Sequence, residues 1–124
     1  MKLNTFMTIS AIVAFIFGIG FIIAPAASLA PYGTTTDLTG LFLGRYLGAS
    51  LLGIAFLTWL TRNATPSDTR KGLLTGLFVT MLLGFLVALY DVFAGAGNAL
   101  VWLNVVIYLL LAFGFGYFTF MKKD

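Results

Sequence analysis

The chain has 124 residues, of which 60% are hydrophobic and only 9% charged, with a formal net charge of +3. A soluble domain carries about 25% charged residues, so this chain lacks the polar surface to cover a water-soluble globule and its solvent is lipid. The absence of Cys and His, together with the absence of Glu, excludes disulfides, thiol redox chemistry, iron–sulfur and His-ligated haem centres and His/Cys zinc sites.

Four apolar segments follow in chain order, at residues 6–24, 41–60, 72–90 and 100–120. Each is close to the ~20 residues that a helix needs to cross a hydrocarbon core of roughly 30 Å. Membrane β-barrels show alternating segments of about 10 residues instead of continuous apolar runs. The expected fold is therefore an all-α membrane protein: one four-transmembrane-helix antiparallel bundle over residues 1–124, with helices at about 4–24, 38–62, 70–93 and 98–121. The first segment also has a signal-peptide reading, with Lys2 before it and Ala24-Pro25-Ala26 after it. Its apolar run of about 19 residues exceeds the 7–15 of a typical signal h-region, so it is expected to stay as a span.

The basic residues alternate with the spans. Lys2 precedes the first, Arg62, Arg70 and Lys71 lie between the second and third, and Lys122 and Lys123 follow the fourth. The loops at 25–39 and 91–99 contain none. The positive-inside rule then places both termini and the middle loop in the cytoplasm, as in a multi-pass protein of a bacterial inner membrane. Trp59 and Trp102 fall near opposite interfaces, as an aromatic belt requires. In the first loop, proline ends the first helix and Thr36 or Asp37 caps the second. The charge placement serves orientation and points away from nucleic acid.

Helix packing in lipid depends on close approach of small residues. The second helix offers Gly40, Gly44 and Gly48; the third offers Gly72, Gly76, Thr80, Gly84 and Ala88, and the first offers Ser10, Ala14 and Gly18. All three series have a spacing of four. Five consecutive small positions on the third helix predict a packed face there, against a helix of the same chain or of a second copy.

Arg45 interrupts an otherwise apolar span. A guanidinium stays charged at any relevant pH, so within a bilayer it needs a partner, a water path or a route to the surface. It lies roughly 6 Å below the outer end of the second helix at 1.5 Å per residue, and Asn104 lies about as deep in the fourth. Asp91 stands at the outer end of the third. The expectation is an outer-leaflet polar cluster of Arg45, Asp91 and Asn104 with Tyr46, Tyr90 or Tyr108 beside it, serving structure or a ligand. Snorkelling of Arg45 to headgroups is the plainer reading, and Asn104 also fits as interhelical glue. No catalytic residue and no metal-ligand set is expected.

Two stretches carry a family resemblance: GRYLGASLLGIAFLTWLTR at 44–62 and GNALVWLNVVIYLLLAFGFGYF at 97–118. In these and in general layout the chain resembles small bacterial four-helix inner-membrane proteins, broadly the DoxX-like set. That resemblance implies a membrane subunit linked to quinone-coupled oxidation. The leading expectation is a non-catalytic membrane protein, either an accessory subunit of a larger membrane complex or a binder of a lipid- or quinone-like apolar molecule. Its partners would be membrane lipids, that complex or further copies of the chain, and it would need no cofactor beyond a bound lipid or quinone. An oligomeric transporter or channel with Arg45 as an anion site is the alternative. A membrane enzyme using Asp91 as acid/base ranks third.

Overall fold

The computed structural model describes residues 1–33 and 35–121. Lys122 and Lys123, which contribute to the expected orientation, lie outside the described residues, as does Asp124. Every described element is helical: α1 (Leu3–Ile23), α2 (Pro25–Leu29), a 3-10 turn (Ala30–Tyr32), α3 (Leu38–Thr61), α4 (Asp68–Ala94), α5 (Val101–Gly116) and a π-helical turn (Tyr117–Met121). Four stretches are long and apolar enough to cross a membrane: α1, α3, α4 and α5 with its π turn, of 21, 24, 27 and 21 residues. At 1.5 Å per residue these are about 31–40 Å long, enough for a hydrocarbon core of roughly 30 Å.

Local chemistry sets the helix ends. The Asp37 carboxylate accepts the Gly40 N–H at 2.9 Å and opens α3, satisfying one of the donors that a helix start leaves orphaned. Ser67 does the same for α4, accepting from the Arg70 N–H at 3.1 Å, and Asp68 in the first turn complements the helix dipole. At the far end of α4, Gly95 takes the left-handed conformation, φ 77°. The Ala96 N–H then reaches back to the Asp91 carbonyl at 2.9 Å, which satisfies a terminal acceptor. Pro25 follows the end of α1 at Ile23, as expected, and also starts α2, because a residue without an N–H fits the first helical position, where that donor would be unused.

The chain forms two compact units, Met1–Asn63 and Ala64–Asp124. In the first, α1 packs against α3. The order of the contacts is antiparallel: Asn4 donates to Asn63 at 3.3 Å, Phe15 meets Phe56 edge-on, and Gly18 lies against Gly48 and Leu52. The closest approach is glycine against backbone. A Cβ on Gly48 would stand 2.7 Å from the Gly18 carbonyl oxygen and 2.9 Å from the Ile22 nitrogen. The small series of α1 lies wholly in this interface, since Ser10, Ala14 and Gly18 are all buried. Across from it are Gly44, Gly48, Ala55 and Thr58, the buried residues of α3.

In the second unit α4 packs against α5, and the contact uses larger side chains. Leu74, Leu77, Met81 and Ala88 of α4 are buried, as are Val101, Val105, Ala112 and Phe115 of α5. Gly84 accommodates the Tyr108 ring, whose Cε1 would lie 2.3 Å from an added Cβ. Gly116 accommodates Phe78 in the same way at 2.9 Å.

In both units, many large apolar side chains face outward. Ile16, Leu43, Leu60, Val87 and Leu110 are all more than half exposed, whereas Ser10 and Thr58 are fully buried. In a lipid solvent such exposure would cost a large apolar side chain nothing, since lipid tails are as apolar as leucine, and a small residue lets two backbones approach.

Candidate functional site

A groove opens on the flank of the first hairpin, between α1 and α3. Ala11, Ile12 and Phe15 contribute one side and Ala55, Phe56 and Trp59 the other, around a cavity of about 250 Å³. Its form follows from where helical periodicity puts small and large residues. Ala11 and Ala55 are buried, at 4% and 3% exposure, and form the floor. Ile12 and Phe15 stand as one wall, Phe56 and Trp59 as the other, each between 43% and 55% exposed. The Phe15 and Phe56 rings meet edge-on, 6.5 Å between centroids, the arrangement that aromatic quadrupoles favour. All six lining residues are apolar or, in Trp59, apolar with a single donor. The cavity is smaller than the roughly 300–1,000 Å³ of small-molecule pockets, and suits a narrow, flexible chain.

Polar groups gather at one end of the groove. One turn beyond Trp59, Arg62 lays its guanidinium over the indole ring, 3.7 Å from Cζ to the centroid, and donates from Nη1 to the Trp59 carbonyl at 2.5 Å. The Asn4–Asn63 hydrogen bond ties the start of α1 to this end of α3. Lys2, immediately before α1, is therefore on the same end. The single acid of the unit, Asp37, caps the opposite end of α3. The groove end is thus cationic and uncompensated within its hairpin.

The residues singled out from sequence fall in both units. In the first, Arg45 and Tyr46 are exposed on α3, and the Tyr46 ring stacks edge-on to Phe42 at 5.1 Å. Arg45 is ten residues from Ala55, about 15 Å along the helix, so it takes no part in the groove. Gly44 and Gly48 lie in the α1–α3 interface, while Gly40 faces the Thr36 side chain. In the second unit, Asp91 and Asn104 are half-buried and Tyr90 is exposed. Tyr108 packs on Gly84.

Of the five small positions on α4, Gly84 faces Tyr108 and Ala88 is buried, but a Cβ added at Gly72 or Gly76 meets nothing within 4 Å and Thr80 is exposed. A spacing of four drifts around a helix by about 40° per step, so five such positions cannot all remain in one straight interface. Among the described residues no group of three or more His, Cys, Asp or Glu could hold a metal.

Of the groove residues only Trp59 was singled out from sequence, as an interfacial aromatic. The signal of the groove was an alanine flanked by bulky apolar neighbours on each of two helices, Ala11 by Ile12 and Phe15, Ala55 by Phe56 and Trp59. That signal acquires meaning only once the pairing of the two helices is known.

A family model described as Domain of unknown function (DUF8292) matches residues 8–124. No curated protein and no solved structure matches the chain. The DoxX-like resemblance of residues 44–62 and 97–118 is thus not among the matches.

Proposed function

We propose that this chain, which belongs to the DUF8292 family, is a non-catalytic multi-pass membrane protein that holds a lipid- or quinone-like apolar chain in the groove of its first hairpin. The observation that carries the reading is the alanine-floored, aromatic-walled groove on a pair of helices long enough to span a bilayer. Left empty, such a depression forfeits dispersion contacts with its lining. An apolar tail from the surrounding lipid or a quinone supplies the missing contact. The positive-inside rule would put the Lys2–Arg62 end of the groove at the cytoplasmic face of a bacterial inner membrane. As an accessory subunit, the chain would present that bound molecule to a larger membrane complex.

Native mass spectrometry after gentle extraction tests the reading, because it reports bound apolar molecules, copies and partner subunits together. The expected spectrum shows a stoichiometric lipid or quinone adduct that Ala55→Leu, which fills the floor, removes. A spectrum of bare protein that is unchanged by Ala55→Leu overturns the reading.

The anion-transport alternative rests on a separate observation, the exposure of Arg45 seven residues inside α3. It requires anion flux into liposomes that Arg45→Ala abolishes.

A further inference from the structure

The groove and the charges at its end point to a particular class of occupant. We infer that the first hairpin binds an anionic glycerophospholipid, one acyl chain lying in the Ala11–Ala55 groove and the headgroup phosphate meeting Arg62. This rests on the groove-binding reading above and specifies its ligand.

Three features support it. The first is register. Trp59 is both the last wall residue of the groove and the platform under Arg62, with 3.7 Å between guanidinium and ring centroid. A chain that fills the groove therefore runs directly to a cation one turn away, about 4.5 Å along the helix. Tryptophan at this junction is in the position that its amphipathic ring favours, between hydrocarbon and headgroups. The second is orientation of the cation. Stacking on Trp59 and the hydrogen bond to the Trp59 carbonyl hold the guanidinium in a fixed plane. A planar fork with further N–H donors binds phosphate in two-point fashion, which an ammonium cannot do.

The third is charge. The groove end carries Arg62 and Lys2, and the only acid of this unit, Asp37, caps the far end of α3. A headgroup with net negative charge is complementary to that end. A zwitterionic choline headgroup brings its own ammonium toward the same cations. A quinone headgroup has carbonyl acceptors but no charge, and so uses the groove without the cationic end.

Native mass spectrometry of the full chain in detergent, with equimolar phosphatidylglycerol and phosphatidylcholine, reads the preference directly. The expected result is phosphatidylglycerol retained over phosphatidylcholine by about two- to fivefold, the range for an exposed charge pair. Arg62→Gln should keep the adducts and remove most of that preference. Arg62→Lys should keep part of it, because the charge remains and the fork is lost. Ala55→Leu should remove both lipids. Helical circular dichroism of each variant equal to that of the parent shows that the fold is kept. An equal retention of the two lipids by the parent, or a preference unchanged in Arg62→Gln, overturns the headgroup assignment while leaving the groove reading intact. Retention of both lipids in Ala55→Leu overturns the groove reading itself. A ubiquinone that displaces phosphatidylglycerol from the parent replaces the anionic lipid as occupant.

Discussion

Individual residues in this protein act mainly through the space they leave. Gly48 abuts the backbone of α1, and nothing flexible stands there to yield: the nearest atoms to an added Cβ are the Gly18 carbonyl oxygen and the Ile22 side chain and nitrogen. Gly48→Ala must push the helices apart and is expected to cost about 1–3 kcal/mol, the usual penalty of overpacking. Gly76→Ala has the opposite expectation. An added methyl there meets nothing within 4 Å, and replacing a mid-helix glycine by alanine gains about 0.5–1 kcal/mol. Unfolding in mixed micelles with increasing SDS checks both, and equal effects at the two glycines would refute the packing described here. Ser10 gives a further test. Its Oγ is buried without a hydrogen-bond partner, which costs desolvation for no return. Ser10→Ala is therefore expected to be neutral or stabilising by up to about 1 kcal/mol in the same assay. A clear loss of stability would mean that the hydroxyl is used.

At the level of elements, the spans were legible from the sequence and the interfaces only in part. Continuous apolar runs mark α1, α3, α4 and α5 because length and hydrophobicity are local properties. The small-residue series at Ser10, Ala14 and Gly18 and at Gly44 and Gly48 also marked buried positions, since each stretch is short enough to stay on one face. Of the longer series from Gly72 to Ala88, Gly84 and Ala88 lie in the interface within this hairpin, whose buried face on α4 otherwise runs through Leu74, Leu77 and Met81. The groove was illegible for a stronger reason: it joins residues 11–15 to residues 55–59, and only the antiparallel pairing of α1 with α3 brings them together. Arg45 stood out in the sequence because charge in a span is rare, yet the cation beside the groove is Arg62, which looks in sequence like an ordinary flanking residue. Caps behave locally again. Ser67→Ala removes the acceptor for the Arg70 N–H and is expected to cost about 1 kcal/mol. Hydrogen exchange should then rise in the first turn of α4 and stay unchanged in α1 and α3.

The whole molecule consists of two hairpins, Met1–Asn63 and Ala64–Asp124, each with its own packed interface. The first is held by glycine-to-backbone approach and the second by rings seated on Gly84 and Gly116. This predicts that the chain tolerates a break between Asn63 and Ala64. Residues 1–63 and 64–124 made as separate polypeptides should each insert as a helical hairpin, with the parent's protease protection. Failure of residues 1–63 to insert without the second half would show that the first interface is not self-sufficient. The lipid adduct should travel with the first half alone.

The same division has a consequence for biosynthesis. A ribosome releases residues 1–63 ahead of the second hairpin, so every residue of the α1–α3 interface, with its buried glycines, is outside the ribosome before α4 and α5 have both emerged. The groove belongs wholly to this earlier part, since Ala11 and Ala55, Phe15 and Phe56, and Trp59 with Arg62 all precede Asn63. On the anionic-lipid reading, the lipid would be met at the insertion site, by a chain whose second hairpin is still emerging.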